Sequence, residues 1–155
     1  MASGSDEQPV RMLRVGAYAV VVVEARLLLT QMAESTPVPG QWGLPGGGVD
    51  HGEAPLAAVV REVHEETAHE LVDVRLVDVG SHHFVGRSPR GRLEDFHSVQ
   101  IVYTAGVREV REPEVLDVGG STVQARWVPL GEVPALDLTS GTREWLTRLR
   151  HLPSA

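Results

Sequence analysis

Most hydrophobic positions of this chain fall into short runs rich in Val, Ala and Leu, and polar segments with Gly or Pro separate these runs. Runs of this length and composition predict β-strands. The predicted strands are residues 11–23, 27–31, 72–85, 96–107 and 123–128. A polar turn at 24–26 would join the first two strands into a hairpin, and the strand at 72–85 would contain a bend.

Helical spacing of hydrophobic residues occurs at 54–67 and again at 142–152, with one helical turn predicted at 130–133. In the first helix, Pro55 is tolerated because it lies in the first turn. Its predicted apolar stripe consists of Leu56, Val59, Val60, Val63 and Thr67. The opposite arc consists of Ala58, Glu62, Glu65 and Glu66. Strands on both sides of a central helix predict an α/β fold, a mixed β-sheet with helices on its faces.

Polar segments rich in Gly and Pro predict loops at 32–41, 86–95 and 108–120. Residues 1–9 are small and polar, and are predicted to be a disordered tail. Residues 10–152 are predicted to form a single domain, with no internal repeat.

Composition narrows the possible functions. Hydrophobic residues make up 42% of the chain, an ordinary globular value, and no apolar run is long enough for a membrane span. There is no Cys and no basic leader, so a cytoplasmic location is expected. The formal charge of −7 argues against binding a nucleic acid polymer, but a nucleotide could still bind with a cation.

The most informative polar cluster is Glu62, Glu65 and Glu66, downstream of the glycine-rich loop 44–48. At i, i+3 and i+4 these carboxylates share one helix face, where they repel one another and raise one another's pKa values. Mg²⁺ or Mn²⁺, which prefer oxygen ligands, would relieve this repulsion. A solvated acidic helix face is the simpler interpretation of the triplet taken alone.

The flanking residues favour a metal site over a solvated helix face. Five residues separate Gly47 from Glu53, and seven more precede Arg61. This spacing resembles the signature of the Nudix hydrolases, MutT-like enzymes. The matching positions are Gly47, Glu53, Arg61, Glu62, Val63, Glu65 and Glu66. Ala68 and His69 depart from it, since the family has Gly and an apolar residue there.

The resemblance implies a Nudix fold, in which a mixed sheet lies between helices and the signature forms a loop-helix-loop. It implies metal-dependent hydrolysis of a nucleoside diphosphate linked to another group, with Mg²⁺ or Mn²⁺ as cofactor. Glu62 and Glu66 would be the main metal ligands and catalytic residues, with Glu65 as a third. A backbone carbonyl, that of Gly46, would complete the metal shell. Which carboxylate accepts the proton of water stays open, because coupled carboxylates titrate together.

The remaining residues of the signature are expected to be structural. Gly47 lets the backbone approach closely, and Glu53 with Arg61 could pin the loop to the helix through a two-point contact. Ala68 makes a left-handed helix end less favourable by ~1 kcal/mol. His69 is expected to lie on the surface as a helix cap; if the helix runs on, it would join the acidic face instead.

Outside the signature, the loop 86–95 is expected to border the site. It would offer Glu94 or Asp95 as an extra carboxylate and three guanidinium groups for phosphates, those of Arg87, Arg90 and Arg92. His82 and His83 would face opposite sides of a strand. Aromatic residues such as Tyr18, Trp42 and Trp127 could stack on a base, although a Trp on a strand is usually part of the core.

A small-molecule nucleotide is the expected partner, most simply a nucleoside triphosphate. The alternatives are a nucleotide sugar or ADP-ribose, a Nudix domain that senses a nucleotide without hydrolysing it, and an interaction module that matches the signature by chance. Homodimerisation fits the habit of the family. No membrane partner is expected.

Overall fold

The fold is described from a computed structural model, which covers residues 7–151. The strands are β1 (Val10–Val20), β2 (Val22–Val23), β3 (Arg26–Met32), β4 (Trp42–Gly43), β5 (Gly46–Gly48), β6 (Leu71–Arg87), β7 (Leu93–Val107) and β8 (Thr122–Pro129). The helices are α1 (Pro55–Thr67) and α2 (Ser140–Arg148), with a 3₁₀ turn at Val133–Ala135. Most of the predicted tail 1–9 lies outside the described residues, and so does Leu152 at the end of the second predicted helix.

The strands form two sheets. The first has the order β5-β1-β7-β6 and is mixed, because β1 and β7 are parallel and the other pairs are antiparallel. The second is antiparallel, with β3 bonded to β2, β4 and β8. The expectation of a mixed sheet flanked by helices is confirmed.

Two hydrophobic clusters pack against the sheets, and strand β3 contributes to both. Leu27 and Leu29 belong to the cluster that contains Leu146 of α2. Leu28, which points the other way, belongs to the cluster that contains Val63 of α1. Alternation along the strand thus places the two helices on opposite faces. All five side chains are fully buried, and burying each contributes about 1.5–3 kcal/mol.

The apolar stripe predicted for α1 is partly wrong. Leu56 and Val60 are substantially exposed, at 49% and 39%, whereas the buried positions are Ala58, Val59, Val63, Glu66 and Thr67. Residues 59, 63, 66 and 67 lie within one arc at i, i+4, i+7 and i+8. This arc faces the sheet, so Glu66, placed on the solvent side by the sequence interpretation, is buried.

Helix α1 ends in the left-handed turn that Ala68 was expected to disfavour. Ala68 has φ 59° and ψ 18°, and its N–H bonds to the carbonyl of His64 at 2.8 Å. His69 is 1% exposed and bonds to the Thr67 and Arg111 carbonyls. Both expectations for His69, a surface cap and a member of the acidic face, are therefore wrong, because the helix stops and the loop after β7 covers the ring.

Strands β6 and β7 form a longer hairpin than predicted. The predicted bend is confirmed as two register shifts, between Val72 and Arg75 and between Leu76 and Asp78. The predicted loop 86–95 is too long: only residues 88–92 form a loop, because the pairing continues to Arg87 opposite Leu93. The 3₁₀ turn lies three residues later than the predicted turn at 130–133. Helix α2 starts at Ser140, two residues early, where Thr139 caps it.

Within residues 7–151, no helix combines the length and the apolar character needed to cross a membrane.

Candidate functional site

The three glutamates of α1 differ in their surroundings. Glu66 is 5% exposed, and its Oε2 accepts a hydrogen bond from the Gly46 N–H at 3.3 Å. Glu62 is half-buried, and Glu65 is the most accessible of the three. The triplet therefore runs from the interior to solvent along one helix face, with the glycine loop over its buried end.

Two glycines allow the loop to lie this close to α1. A Cβ on Gly47 would stand 2.6 Å from the carboxyl carbon of Glu62. Gly46 has φ +144°, and a Cβ there would stand 2.2 Å from the Ala17 carbonyl oxygen. Any side chain at either position would displace the loop or the carboxylate, so glycine is required for the observed packing.

Arg61 connects the loop to the acidic face. Its Nε and Nη2 donate to the two carboxylate oxygens of Glu53 at 2.8 and 2.9 Å, the two-point contact expected from the sequence. Its Nη1 donates to Glu62 at 3.0 Å and to Glu65 at 3.3 Å. A further bond reaches the Gly48 carbonyl at 3.2 Å. One guanidinium group thus orients two of the three carboxylates and fixes the loop.

Contact with Arg61 lowers the pKa values of the glutamates at this site, whereas burial and neighbouring carboxylates raise them. Hydrogen bonds from Arg61 lower the pKa of Glu53 to about 2. Burial raises the pKa of Glu62, and Arg61 only partly offsets this. The pKa of Glu66 is raised well above its usual range, first by burial and further by the charges of Glu62 and Glu65. The buried carboxylate is therefore the one that would gain most from a neighbouring positive charge.

The Thr122 hydroxyl is buried near the same carboxylate. Thr122 Oγ1 has no hydrogen-bond partner of ordinary length among the described residues, yet it lies near enough to lower the pKa of Glu66. Strand β8 thus supplies a polar group to the floor of the site.

The donor set suits a hard divalent cation. The available donors are carboxylate and backbone oxygens, the ligands that Mg²⁺ prefers, and the glycines leave room for the backbone to approach them. Among residues 7–151 no three Asp, Glu or His side chains converge closely enough to hold a metal ion. Arg61 is the counter-ion of Glu62 and Glu65. A cation would therefore have to compete with Arg61 for these two carboxylates.

A pocket of about 400 Å³ lies between the first sheet and α2. Tyr18 and Leu44 form the wall nearest to the glycine loop, and two residues beyond Leu44 the Gly46 N–H meets Glu66. The rest of the wall includes Phe84, Phe96, Ser98, Gln100, Thr142 and Trp145. A second pocket, of about 270 Å³, shares Tyr18, Phe84, Phe96 and Ser98 and adds Arg14.

The structure separates the five residues expected to form a substrate loop. Arg87 and Glu94 line the second pocket, where Arg87 pairs with Glu7 at 2.9 Å and Glu94 with Arg92 at 2.7 Å. Arg90 lies at the exposed turn. Asp95 is on strand β7, not in a loop, and pairs with His83 beside a third pocket, of about 320 Å³, whose wall it shares with Arg11 and His97. The expectation that Glu94 and Asp95 lie in a loop is wrong, because both are on strand β7, where neighbours point to opposite sides. A role of Glu94 as an extra carboxylate of the site stays a prediction.

The expected core role of the tryptophans is confirmed. Trp42 and Trp127 are buried, and the indole N–H of Trp127 donates to the Arg111 carbonyl at 2.9 Å. Tyr18 does line the pocket, and burial raises the pKa of its phenol.

The sequence interpretation missed Gln100, Gly141 and Trp145, which form the end of the pocket under α2. These residues come from β7 and α2 and share no motif. Only the tertiary packing brings them together, so no local signal could have identified them.

The sequence of this chain matches a known domain family and individual relatives within it. Residues 12–149 match the family model described as NUDIX domain. The nucleoside triphosphatase NudI of Salmonella schwarzengrund (strain CVM19633) is 31% identical over 125 residues, which cover 77% of this chain and 84% of that protein.

Solved structures share the architecture. The MutT NUDIX hydrolase from Burkholderia pseudomallei superimposes with a TM-score of 0.71 and 33% identity, over 89% of this chain and 98% of that one. The NUDIX domain of Shewanella oneidensis NrtR, crystallised with ADP ribose, gives a TM-score of 0.67 over 92% of this chain and 88% of that one. Its identity of 24% supports likeness of fold alone.

Proposed function

Since this chain belongs to the Nudix family of hydrolases and is a nucleotide pyrophosphohydrolase, we propose that its substrate is a nucleoside triphosphate, split into a nucleoside monophosphate and pyrophosphate. One observation carries the proposal: the pocket wall at Leu44 continues within two residues to Gly46, whose N–H meets Glu66. Consecutive Cα atoms are about 3.8 Å apart, so the Cα atoms of Leu44 and Gly46 are at most about 7.6 Å apart, and one nucleotide could reach from the pocket to the acidic face. The similarity to proteins named nucleoside triphosphatases supports this choice over nucleotide sugars and ADP-ribose.

In this proposal the acidic face of α1 holds Mg²⁺ or Mn²⁺ through Glu62, Glu65 and Glu66, together with the Gly46 carbonyl. When bound, such an ion neutralises charge on phosphate oxygens and lowers the pKa of a water molecule.

The chain's own residues supply position and proton transfer. Gly47 holds the loop against Glu62, and Arg61 orients Glu62 and Glu65 while its contact with Glu53 keeps the loop in place. The proton of the attacking water passes to the carboxylate set, which titrates as a unit. Burial, which raises the pKa values of Glu62 and Glu66, makes both carboxylates stronger proton acceptors than exposed glutamates are.

The first test is turnover by the Glu66→Gln variant. Product release would be followed with Mg²⁺ for nucleoside triphosphates, nucleotide sugars, ADP-ribose and dinucleoside polyphosphates. We expect cleavage of triphosphates, with kcat reduced by about 10²-fold or more in the variant because a buried ligand charge is lost. Folding should be retained, since the substitution removes like-charge repulsion.

The exposed Glu112→Gln serves as the matched control and should leave kcat unchanged. Near-normal turnover by Glu66→Gln would contradict the role given to Glu66. Turnover of nucleotide sugars or ADP-ribose in preference to triphosphates would contradict the substrate. Nucleotide binding without any turnover would favour the sensing alternative.

Two further expectations from the sequence stay predictions: a cytoplasmic location and homodimerisation. Size-exclusion chromatography coupled to light scattering would decide the second.

A further inference from the structure

The amide of Gln100 has a fixed orientation in the wall of the larger pocket. Its Oε1 accepts a hydrogen bond from the indole N–H of Trp145 at 2.7 Å. An indole nitrogen can only donate, so the atom that faces it must be the amide oxygen. The reverse orientation would set an amide N–H against the indole N–H, which is repulsive.

The Trp145 ring that imposes this orientation is itself held in place. Gly80 of β6 pairs with Gln100 across the hairpin, and a Cβ on Gly80 would stand 2.8 Å from the indole Cζ2. The guanidinium group of Arg148 covers the ring at 4.8 Å from its centroid. Trp145 is only 4% exposed. The ring therefore has no room to turn, and its N–H stays directed at Gln100.

The amide nitrogen of Gln100 is left available to a ligand. The structure records no hydrogen bond from Gln100 Nε2 to any other residue between 7 and 151. Gly141 lies beside it, and a Cβ at that position would stand 3.3 Å from Nε2 and 3.8 Å from His82 Nε2. Because Gly141 has no side chain, the N–H donors of Gln100 remain open to the pocket.

From this arrangement we infer that Gln100 selects nucleobases with a ring carbonyl over those with an exocyclic amino group at the same place. The inference rests on the proposed function, with the phosphates of the substrate at the acidic face of α1 and its base in this pocket. The fixed amide donates and cannot flip to accept. The 6-oxo group of guanine or hypoxanthine and the 4-oxo group of uracil or thymine accept hydrogen bonds, whereas the amino groups of adenine and cytosine donate. At that position an amino base would set its own N–H donors against those of the amide, and no hydrogen bond would form between them.

Matched substrate pairs test this inference. ITP and ATP differ at the 6-position and in the N1 proton that accompanies it, and UTP and CTP differ in the same way at the 4-position. We expect kcat/KM to favour the oxo member of each pair by about tenfold or more, because a mismatched polar contact discriminates strongly. Calorimetric binding of IMP against AMP, and of UMP against CMP, without metal gives a second measure that does not depend on turnover.

The Gln100→Glu variant should invert the preference. A carboxylate still accepts from Trp145, but its second oxygen accepts where the amide donated, so ATP and CTP should become the better substrates. The ratio within each pair is the readout, because the added negative charge affects both members alike. Gln124→Glu, an exposed change of the same kind on β8, is the control and should keep the oxo preference. Thermal melting verifies that both variants fold.

If the wild type showed equal kcat/KM for the two members of a pair, or a higher value for the amino member, the inference would be overturned. An oxo preference that survives in Gln100→Glu would overturn the role of Gln100. Discrimination in monophosphate binding, with no triphosphate cleaved, would instead refute the proposed function and leave the base selection standing.

Discussion

Arg61 donates hydrogen bonds to Glu53, Glu62 and Glu65 at once, so a single residue joins the loop to two carboxylates of the proposed catalytic face. A lysine could not reproduce this arrangement, because its ammonium group lacks the planar pair of donors that meets both oxygens of Glu53. Gly47 acts in a complementary way, by leaving space for Glu62 where any other residue would place a carbon atom.

The Glu53–Arg61 contact should make folding stability depend on pH. The pKa of Glu53 is lowered from 4.5 to about 2 by the hydrogen bonds from Arg61. The contribution of this pair to the free energy of unfolding is therefore fully present above pH 4.5 and is lost as the pH falls from 4.5 towards 2. In Glu53→Gln this contribution should be absent at every pH.

Urea unfolding of both proteins at pH 6, 4 and 3 measures the effect. The wild type should be the more stable at pH 6, and the difference should shrink at pH 4 and again at pH 3. A difference that stays constant with pH would show that the contact stabilises the fold through packing instead of charge.

At the scale of elements, helix α1 both packs on the sheet and presents the glutamates of the proposed site. The residues for these two roles alternate along the sequence and differ only in their angle around the helix axis. One arc, with Val59 and Val63, packs on the sheet, and the next presents Glu62 and Glu65 to solvent. Glu66 lies where the arcs meet, and this explains how a carboxylate comes to be buried among apolar residues. The left-handed end at Ala68 then turns the chain away, so that His69 packs edge-on against Trp127 with ring centroids 5.3 Å apart.

Replacing Ala68 by glycine should stabilise the protein. Ala68 has φ 59°, a conformation that costs a residue with a Cβ roughly 1 kcal/mol relative to glycine. For a domain of this size that corresponds to a rise in Tm of about 2–4 °C. Differential scanning calorimetry would measure it.

Ala57→Gly is the matched control, because Ala57 is exposed and lies within α1. There the same substitution should lower stability by ~1 kcal/mol through the poor helix propensity of glycine. Equal destabilisation by both changes would mean that the helix end does not depend on the left-handed turn.

On the scale of the whole molecule, the two hydrophobic clusters share strand β3, since Leu28 points into one and Leu29 into the other. If β3 unfolds, both clusters lose leucine side chains and become exposed to solvent. Residues 10–152 are accordingly predicted to unfold as one cooperative unit.

Leu28→Ala and Leu29→Ala test this coupling. Each should cost about 2–5 kcal/mol, the usual range for truncating a buried leucine. The indole N–H signals of Trp127 and Trp145 report on the two clusters separately in NMR spectra. In either variant both folded signals should disappear at the same urea concentration. If Leu28→Ala moved only the Trp127 transition, the clusters would be independent.

The signature could be found in the sequence because its parts are close along the chain. The spacing of Glu62, Glu65 and Glu66 encodes a helix face, and Gly47 with Glu53 precedes it at short range. The strands and α1 were likewise predictable from local patterns. The wrong predictions concern residues whose surroundings depend on partners far along the chain. His69 is buried by the segment around Arg111. Asp95 belongs to a hairpin whose other strand carries His83.

The fixed amide of Gln100 has a consequence for how such an enzyme can change over generations. The groups proposed for hydrolysis lie between residues 46 and 66, while Gly80, Gln100, Gly141 and Trp145 come from later segments. A single codon change at Gln100 could therefore redirect the enzyme to another pool of nucleotides while its hydrolytic machinery is inherited intact. Duplicated copies of such a gene could diverge in substrate without passing through an inactive ancestor.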